Sequence, residues 1–291
     1  VKNKLGLRVV FIDDQRNDHT GTVKMFEFKG GTMQRGSDFY QVKLPVTIPN
    51  PHLWNGKKDA AMYTCQVYLM DGDKVIDMGA EQIGLRSFTI DHNKGFFLNG
   101  QVRKFQGVCN HHDLGPLGSA VNEAALRRQL TLLKEMGCDA IRTSHNMPAP
   151  ELVRLCDEMG FMMMLEPFDE WDAPKCENGY HRFYNDWWER DLTNLVLAHR
   201  NHPSIVMWSI GNEIYDTHAD AHGQEITAML KQEVESHDPK GNAVISIGSN
   251  YMPWEGAQSC ADQVDLAGYN YGEKLISETY RRFGMWREEQ K

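Results

Sequence analysis

Trp208-Ser-Ile-Gly-Asn-Glu-Ile214, entered from the apolar run Ile205, Val206 and Met207, decides how the rest of the chain is read. Consecutive apolar side chains predict a strand buried on both faces, and this one ends in an amide, Asn212, and an acid, Glu213. An acid at the carboxyl end of a buried parallel strand stands where α/β barrels keep their chemistry. Glu213 is therefore the first catalytic candidate. Asn212, whose amide both donates and accepts, is a candidate ligand for a substrate hydroxyl beside it. Read as plain structure, the same residues would be a helix-start glutamate and a cap.

Outward from this strand, the chain alternates. Strands are expected at 104–109, 140–143, 161–165, 204–210, 243–248 and 264–269, with helices at 122–136, 150–159, within 184–199 and at 223–234. In the first helix Leu126, Leu130, Leu133 and Met136 fall on one face, and Gly137 stops it. Alternating strand and helix with apolar strands predicts a parallel sheet under helices. Chemistry-bearing residues follow each strand: His111 and His112, His145 and Asn146, Glu166, Asp169 and Glu170, Glu213, Asn250, and Asn270 with Tyr271. Such a spread fits the rim of a (β/α)8, TIM-type barrel. A doubly wound sheet gathers its polar groups at one switch point. The barrel is expected over residues 92–291, with six strands before the chain ends and a seventh not reached.

Residues 1–91 read differently. Short alternating segments at 7–13, 23–28, 39–46, 62–69 and 82–88 are separated by turn clusters such as Lys29-Gly-Gly, Asn55-Gly and Asp71-Gly. That pattern predicts an antiparallel β sandwich of immunoglobulin-like type, joined through a linker at 91–95.

Composition narrows the function classes. The 291-residue chain is 41% hydrophobic, enough for a large core, and its formal charge of −9 argues against nucleic acid or an anionic membrane as partner. No run approaches the length of a membrane span, and the N-terminus lacks the apolar core of a signal peptide. The first residue is Val, which suggests a processed or excised chain, so cytoplasmic and periplasmic or secreted locations both stay open. Six scattered cysteines form no CxxC pair, so neither a zinc site nor a disulfide framework is expected, and most are read as reduced core residues.

Further candidates sit on the other strand ends. Arg142, in Arg142-Thr-Ser-His-Asn146, is placed to hold a catalytic carboxylate ionised, and His145 and Asn146 to contact substrate. Glu166 is a supporting residue, read equally as a partner of Arg142 or of His145. Trp171 offers an aromatic plane as a subsite wall, whereas Trp187 and Trp188 lie in a helical stretch and read as core. His111 and His112 look like metal ligands, but neighbours on a strand point to opposite faces. No metal site or cofactor is predicted, and His111 is kept as a substrate contact.

The run Gly95-Phe-Phe-Leu-Asn-Gly-Gln-Val-Arg-Lys-Phe-Gln-Gly-Val-Cys-Asn-His-His-Asp113, then Arg142-Thr-Ser-His-Asn146, then His202-Pro-Ser-Ile-Val-Met-Trp-Ser-Ile-Gly-Asn-Glu213 resembles glycoside hydrolase family 2. Pro51-His-Leu-Trp54 with Gly84-Leu-Arg-Ser-Phe88 looks like the closing part of the immunoglobulin-like domain that precedes its barrel. The resemblance implies a retaining exo-β-glycosidase, most often a β-galactosidase. It implies Glu213 as general acid/base, Asn212 on the sugar and Tyr271 near the nucleophile. It also implies an N-terminal jelly roll and a nucleophilic glutamate after the seventh strand, neither of which is found in this sequence. Glu278 follows Tyr271 too closely for a helical crossover, which takes at least about 10 residues, and its segment reads as an amphipathic helix, so the nucleophile is expected beyond Lys291. The expected partner is an oligosaccharide or glycoside, with homo-oligomers left open. β-Glucuronidase or β-mannosidase specificity, and a carbohydrate-binding fragment without turnover, are the alternatives.

Overall fold

The computed structural model describes residues 4–13, 15, 17–20, 24–27, 46–91, 93–218 and 221–272. The chain divides into two compact units, residues 1–104 and 105–291.

The first unit holds an antiparallel sheet of Lys4–Ile12 (β1), Asp18–Thr20 (β2), Lys24–Glu27 (β3), Tyr63–Asp71 (β4) and Lys74–Ile83 (β5). Its order is β2-β1-β4-β5, with β3 also paired to β1. The β4–β5 hairpin turns through Gly72 at φ +59°, a conformation that L side chains rarely adopt. Three expected strands are present with shifted ends, while 39–45 lies outside the described residues. The strand expected at 82–88 is corrected: it runs over Lys74–Ile83 and the chain is irregular at 84–87. β5 is exposed along nearly its whole length, Val75, Ile76 and Met78 included, so it carries no alternation of buried and exposed positions for a period-2 reading to find.

A second sheet in this unit comprises Phe88–Asp91 (β6), Gly95–Leu98 (β7) and Gln101–Arg103 (β8). The expected linker at 91–95 is instead a hairpin turn. Asp91 pairs with Gly95, and its Oδ1 accepts from the amides of Asn93 and Lys94, both at 2.9 Å. The residue types that suit a linker also build an Asx turn, which is why the two are confused. Fully buried Trp54 is held on both sides: its amide donates to Leu85 O and its carbonyl accepts from Asn99 Nδ2, each at 2.9 Å.

In the second unit the alternation is Gly107–His111 (β9), Glu123–Glu135 (α1), Ala140–Ser144 (β10), Pro150–Met159 (α2), Met162–Leu165 (β11), His181–His199 (α3), Ile205–Asn212 (β12), Ala221–His237 (α4), Val244–Ser249 (β13), Glu255–Ala261 (α5) and Leu266–Tyr269 (β14). The six strands pair in sequence order and all in parallel. They form part of a TIM barrel, and every strand therefore delivers its C-terminal loop to the same edge. Asn122 caps α1 by accepting from the Ala125 amide, and α2 opens on Pro150 and ends at left-handed Gly160. Leu126 and Leu130 of α1, Leu152, Val153 and Leu155 of α2, and Ile141, Met163, Ile205 and Trp208 of the strands share one core.

Details depart from expectation. β9 starts at Gly107, where a Cβ would stand 3.0 Å from Ala140 O, and residues 104–106 are not strand. Met136 ends the expected apolar face of α1 but is 68% exposed, because the helix has already closed at Glu135. Helix α5, between the last two strands, was not expected. It is only 7 residues long and begins inside a Pro-Trp-Glu-Gly turn sequence. Trp187 is exposed rather than core, with Arg190 over its ring, while Trp188 packs against the core. All six cysteines are free, and of these Cys138, Cys156 and Cys260 are buried while Cys109 and Cys176 are exposed. Among the described residues no helix is long and apolar enough to cross a membrane.

Candidate active site

The centre of the rim is a buried carboxylate, Glu166, directly after β11. Its side chain has 0% exposure and four donors converge on it. Arg142 gives Nε at 3.2 and 3.1 Å and Nη2 at 2.7 Å, Ser209 Oγ donates at 2.5 Å, and His145 Nδ1 also bonds to Oε1. A buried acid so surrounded is anchored in one orientation. Burial works against the Arg142 charge, but the Glu166 carboxylate outweighs it and holds the guanidinium more firmly protonated.

Arg142 carries the order of Glu166 outward. Nη2 also donates to Asn212 Oδ1 at 2.8 Å and Nη1 to Asn270 Oδ1 at 3.3 Å. Asn270 in turn donates Nδ2 to Asn212 Oδ1 at 2.8 Å and to Glu213 Oε1 at 2.9 Å. On the other side Asn212 Nδ2 donates to Asp169 Oδ1 at 2.8 Å, and Lys175 Nζ clamps Asp169 O, Asp169 Oδ1 and Asn212 O at 2.7, 2.8 and 3.0 Å. Burial pushes the Asp169 carboxyl up, but hydrogen bonds from Lys175 and Asn212 bring it below its ordinary range. Both polar atoms of the Asn212 side chain are thus engaged, which fixes its amide orientation, while among the described residues one Nδ2 hydrogen is left to donate.

Glu213 lies at the edge of this web, joined to it through Asn270. Its backbone sits at φ +50° and is held by its amide donating to Gly248 O at 2.8 Å. A left-handed glutamate at a strand end is a costly conformation and persists because neighbours impose it. Among the described residues its carboxylate accepts one side-chain bond, from the neutral amide of Asn270. Gly211 and Gly248 are required locally. A Cβ on Gly211 would stand 2.6 Å from Ile214 Cγ1, and one on Gly248 would stand 2.9 Å from Arg142 Nη2.

The other candidates divide. His111 is exposed and meets His145 edge to face, with centroids 5.3 Å apart. Asn146 is exposed beside His111 and His112 in the lining of a small hollow, and Tyr271, at φ +54°, is 87% exposed. Trp171 is a correction. The indole is fully buried and its Nε1 donates to Ile210 O at 2.9 Å, so it forms the floor under the strand and no open face for a ring. Glu278 lies outside the described residues.

Sequence reasoning passed over Asn270, Ser209, Asp169 and Lys175 as site residues. The strand-end rule already pointed at Asn270 and Asp169, whereas Ser209 sits inside a strand and Lys175 in a loop with no signal of its own.

Comparison with known proteins agrees with this fold. Residues 89–244 match the glycosyl hydrolases family 2 TIM barrel domain, and residues 3–86 match glycosyl hydrolases family 2. A β-galactosidase of Bacteroides ovatus is 49% identical over 60% of this chain and 21% of its own length. A β-glucuronidase of Bacteroides fragilis is 31% identical over 71% of this chain and 30% of its own. The crystal structure of a family 2 glycosyl hydrolase from Bacteroides cellulosilyticus superposes with a TM-score of 0.85 at 28% identity, covering 97% of this chain and 35% of that one. The chain thus spans between about a fifth and a third of these relatives. With the barrel match extending over more than half of its residues, through every strand up to the one that bears Glu213, the chain belongs to glycosyl hydrolases family 2.

Proposed function

We propose that this chain carries the acid/base side of a retaining exo-β-glycosidase site that acts on terminal β-galactosides, with Glu213 as the acid/base. The observation that carries the reading is the contrast between carboxylates. Glu166 is locked by Arg142, His145 and Ser209, and Asp169 by Lys175 and Asn212, whereas among the described residues Glu213 meets only a neutral amide. A group that must give up and regain a proton in each turnover is better served by a neutral neighbour than by a fixed cation.

In this reading Glu213 protonates the departing glycosidic oxygen while a second carboxylate attacks the anomeric carbon. Glu213 then removes a proton from the water that releases the sugar. Asn212, pinned from three sides, holds a sugar hydroxyl next to the reacting carbon. The nucleophile would stand about 5 Å from Glu213 and come from a segment other than those described, since Glu166 and Asp169 are committed elsewhere.

Galactoside specificity is supported by the likeness to the Bacteroides ovatus β-galactosidase. A glucuronide reading, favoured by the Bacteroides fragilis relative, needs a cation for the sugar carboxylate. Among the described residues the rim's Arg142 and Lys175 are both engaged by protein carboxylates, which favours the neutral sugar.

The test is Glu213→Gln in the full-length protein. Turnover of an alkyl β-galactoside, which needs leaving-group protonation, should fall by about 10²–10⁴. The glycosylation burst with a dinitrophenyl β-galactoside, which does not, should fall far less. Equal losses on both substrates would remove Glu213 from the acid role. Binding of galactose with no turnover in the wild type would instead favour a carbohydrate-binding module.

A further inference from the structure

Beyond Glu213 the chain makes one turn of 3-10 helix, Tyr215–Thr217, and there buries another acid. The Asp216 side chain is 2% exposed, and both its oxygens accept from the Ala173 amide at 3.1 Å. Asp172, from the loop after β11, and His222, from the first turn of α4, converge on it. One ligand atom of each residue lies within 4.8 Å of the other two. His222 Nε2 is 3.3 Å from Asp172 Oδ2 and 4.0 Å from Asp216 Oδ1. Ligands about 2.1 Å from a tetrahedral ion are separated from one another by about 3.4 Å, so the His222–Asp172 pair is already at that spacing, and closing the others takes side-chain movements on the order of 1 Å. Asn185 Nδ2 donates to Asp172 Oδ1 at 2.9 Å, leaving Oδ2 turned towards His222.

A separate observation points into the same place. Tyr184, one residue before Asn185, is 1% exposed, and its hydroxyl has no hydrogen-bond partner among the described residues. Burial, and then the charges of Asp216, of Tyr180 and of Asp172, push its phenol pKa up, which places the hydroxyl within electrostatic reach of both acids. A buried hydroxyl without a partner is unfavourable unless something occupies the space it faces. A cation held by the three side chains, with a water completing its shell, would supply that partner.

We propose that Asp172, Asp216 and His222 form a binding site for one first-row divalent transition cation, for which Zn²⁺ is the probe. Two carboxylates and an imidazole favour such an ion over Mg²⁺ or Ca²⁺, which prefer all-oxygen shells. The ligands come from three separate segments, the loop after β11, the turn after Glu213 and the start of α4. A bound ion ties these together immediately behind the acid/base candidate. The proposal does not rest on the glycosidase reading.

Calorimetric titration of the metal-stripped full-length protein with Zn²⁺ at neutral pH, beside His222→Ala and Asp216→Asn, tests it. Circular dichroism serves as the folding check. Half-exposed His222 can be truncated without opening the core, so that variant stays informative even if Asp216→Asn unfolds. The wild type should bind one equivalent that a large excess of Mg²⁺ or Ca²⁺ does not displace. His222→Ala should lose that equivalent or bind it at least about 10-fold more weakly. Absence of zinc binding, unchanged affinity in His222→Ala, or ready displacement by Ca²⁺ would overturn the proposal.

Discussion

Arg142 is the residue on which the candidate site turns. One planar guanidinium reaches Glu166, Asn212 and Asn270 at once, geometry that a lysine ammonium cannot reproduce. Removing it strands a carboxylate of 0% exposure with, among the described residues, the side chains of His145 and Ser209 as its remaining partners. Arg142→Met is therefore expected to destabilise the barrel by about 3 kcal/mol, read as a shift in the urea midpoint with unchanged slope. Arg142→Lys should recover part of that stability without restoring Asn212 or Asn270. Full stability in Arg142→Met would show that Glu166 does not depend on Arg142. The sequence singled out Arg142 because a cation at a strand end can hold a carboxylate by charge-assisted hydrogen bonds. It misjudged Trp171 because an indole after a strand looks the same whether it lies over the rim or beneath it. The Trp171 bond to Ile210 O decides between them, and that bond spans 39 residues that no local pattern connects.

Among the elements, β13 shows how tightly the rim is assembled. Gly248 lies opposite Asn212 in the β12–β13 register, its carbonyl fixes the Glu213 amide, and its bare Cα leaves room for Arg142 Nη2. Gly248→Ala is expected to displace the guanidinium and lower kcat/KM by about 10-fold or more, since small misplacements near the chemistry are costly. Gly79→Ala, on exposed β5 with nothing within 4 Å of the added methyl, should leave kcat/KM unchanged. Equal effects of the two would mean that Gly248 is not a packing constraint. The barrel strands were legible because burial on both faces writes continuous apolar runs, as in Met162–Leu165 and Ile205–Asn212. β5, the turn at 91–95 and short α5 were not, because exposure, turn chemistry and brevity each erase the period that sequence reading depends on.

For the molecule as a whole, the charge states of buried groups set how stability responds to acid. His199 ends α3 at 5% exposure with no partner for Nδ1 among the described residues, and burial first, then neighbouring His202, lower its pKa to about 4. A histidine whose folded pKa lies below its unfolded value near 6.5 takes up protons on unfolding. Its contribution is whole above about pH 6.5, shrinks as pH falls towards 4, and amounts at most to about 3 kcal/mol. Wild type should therefore lose more stability between pH 7 and 4.5 than His199→Gln does, measured as the difference in urea midpoints. Parallel losses would show that His199 is not held neutral.

The account's central claim is that Glu213 exchanges the proton while another carboxylate bonds the sugar. The direct measurement replaces Glu213 with Gly in the full-length protein and supplies azide with a dinitrophenyl β-galactoside. Azide should accelerate turnover and yield β-galactosyl azide, because the glycosyl-enzyme still forms and a small anion then fits where the carboxylate stood. Production of α-galactosyl azide would instead make Glu213 the nucleophile, and turnover that is unimpaired without azide would contradict any catalytic part for it.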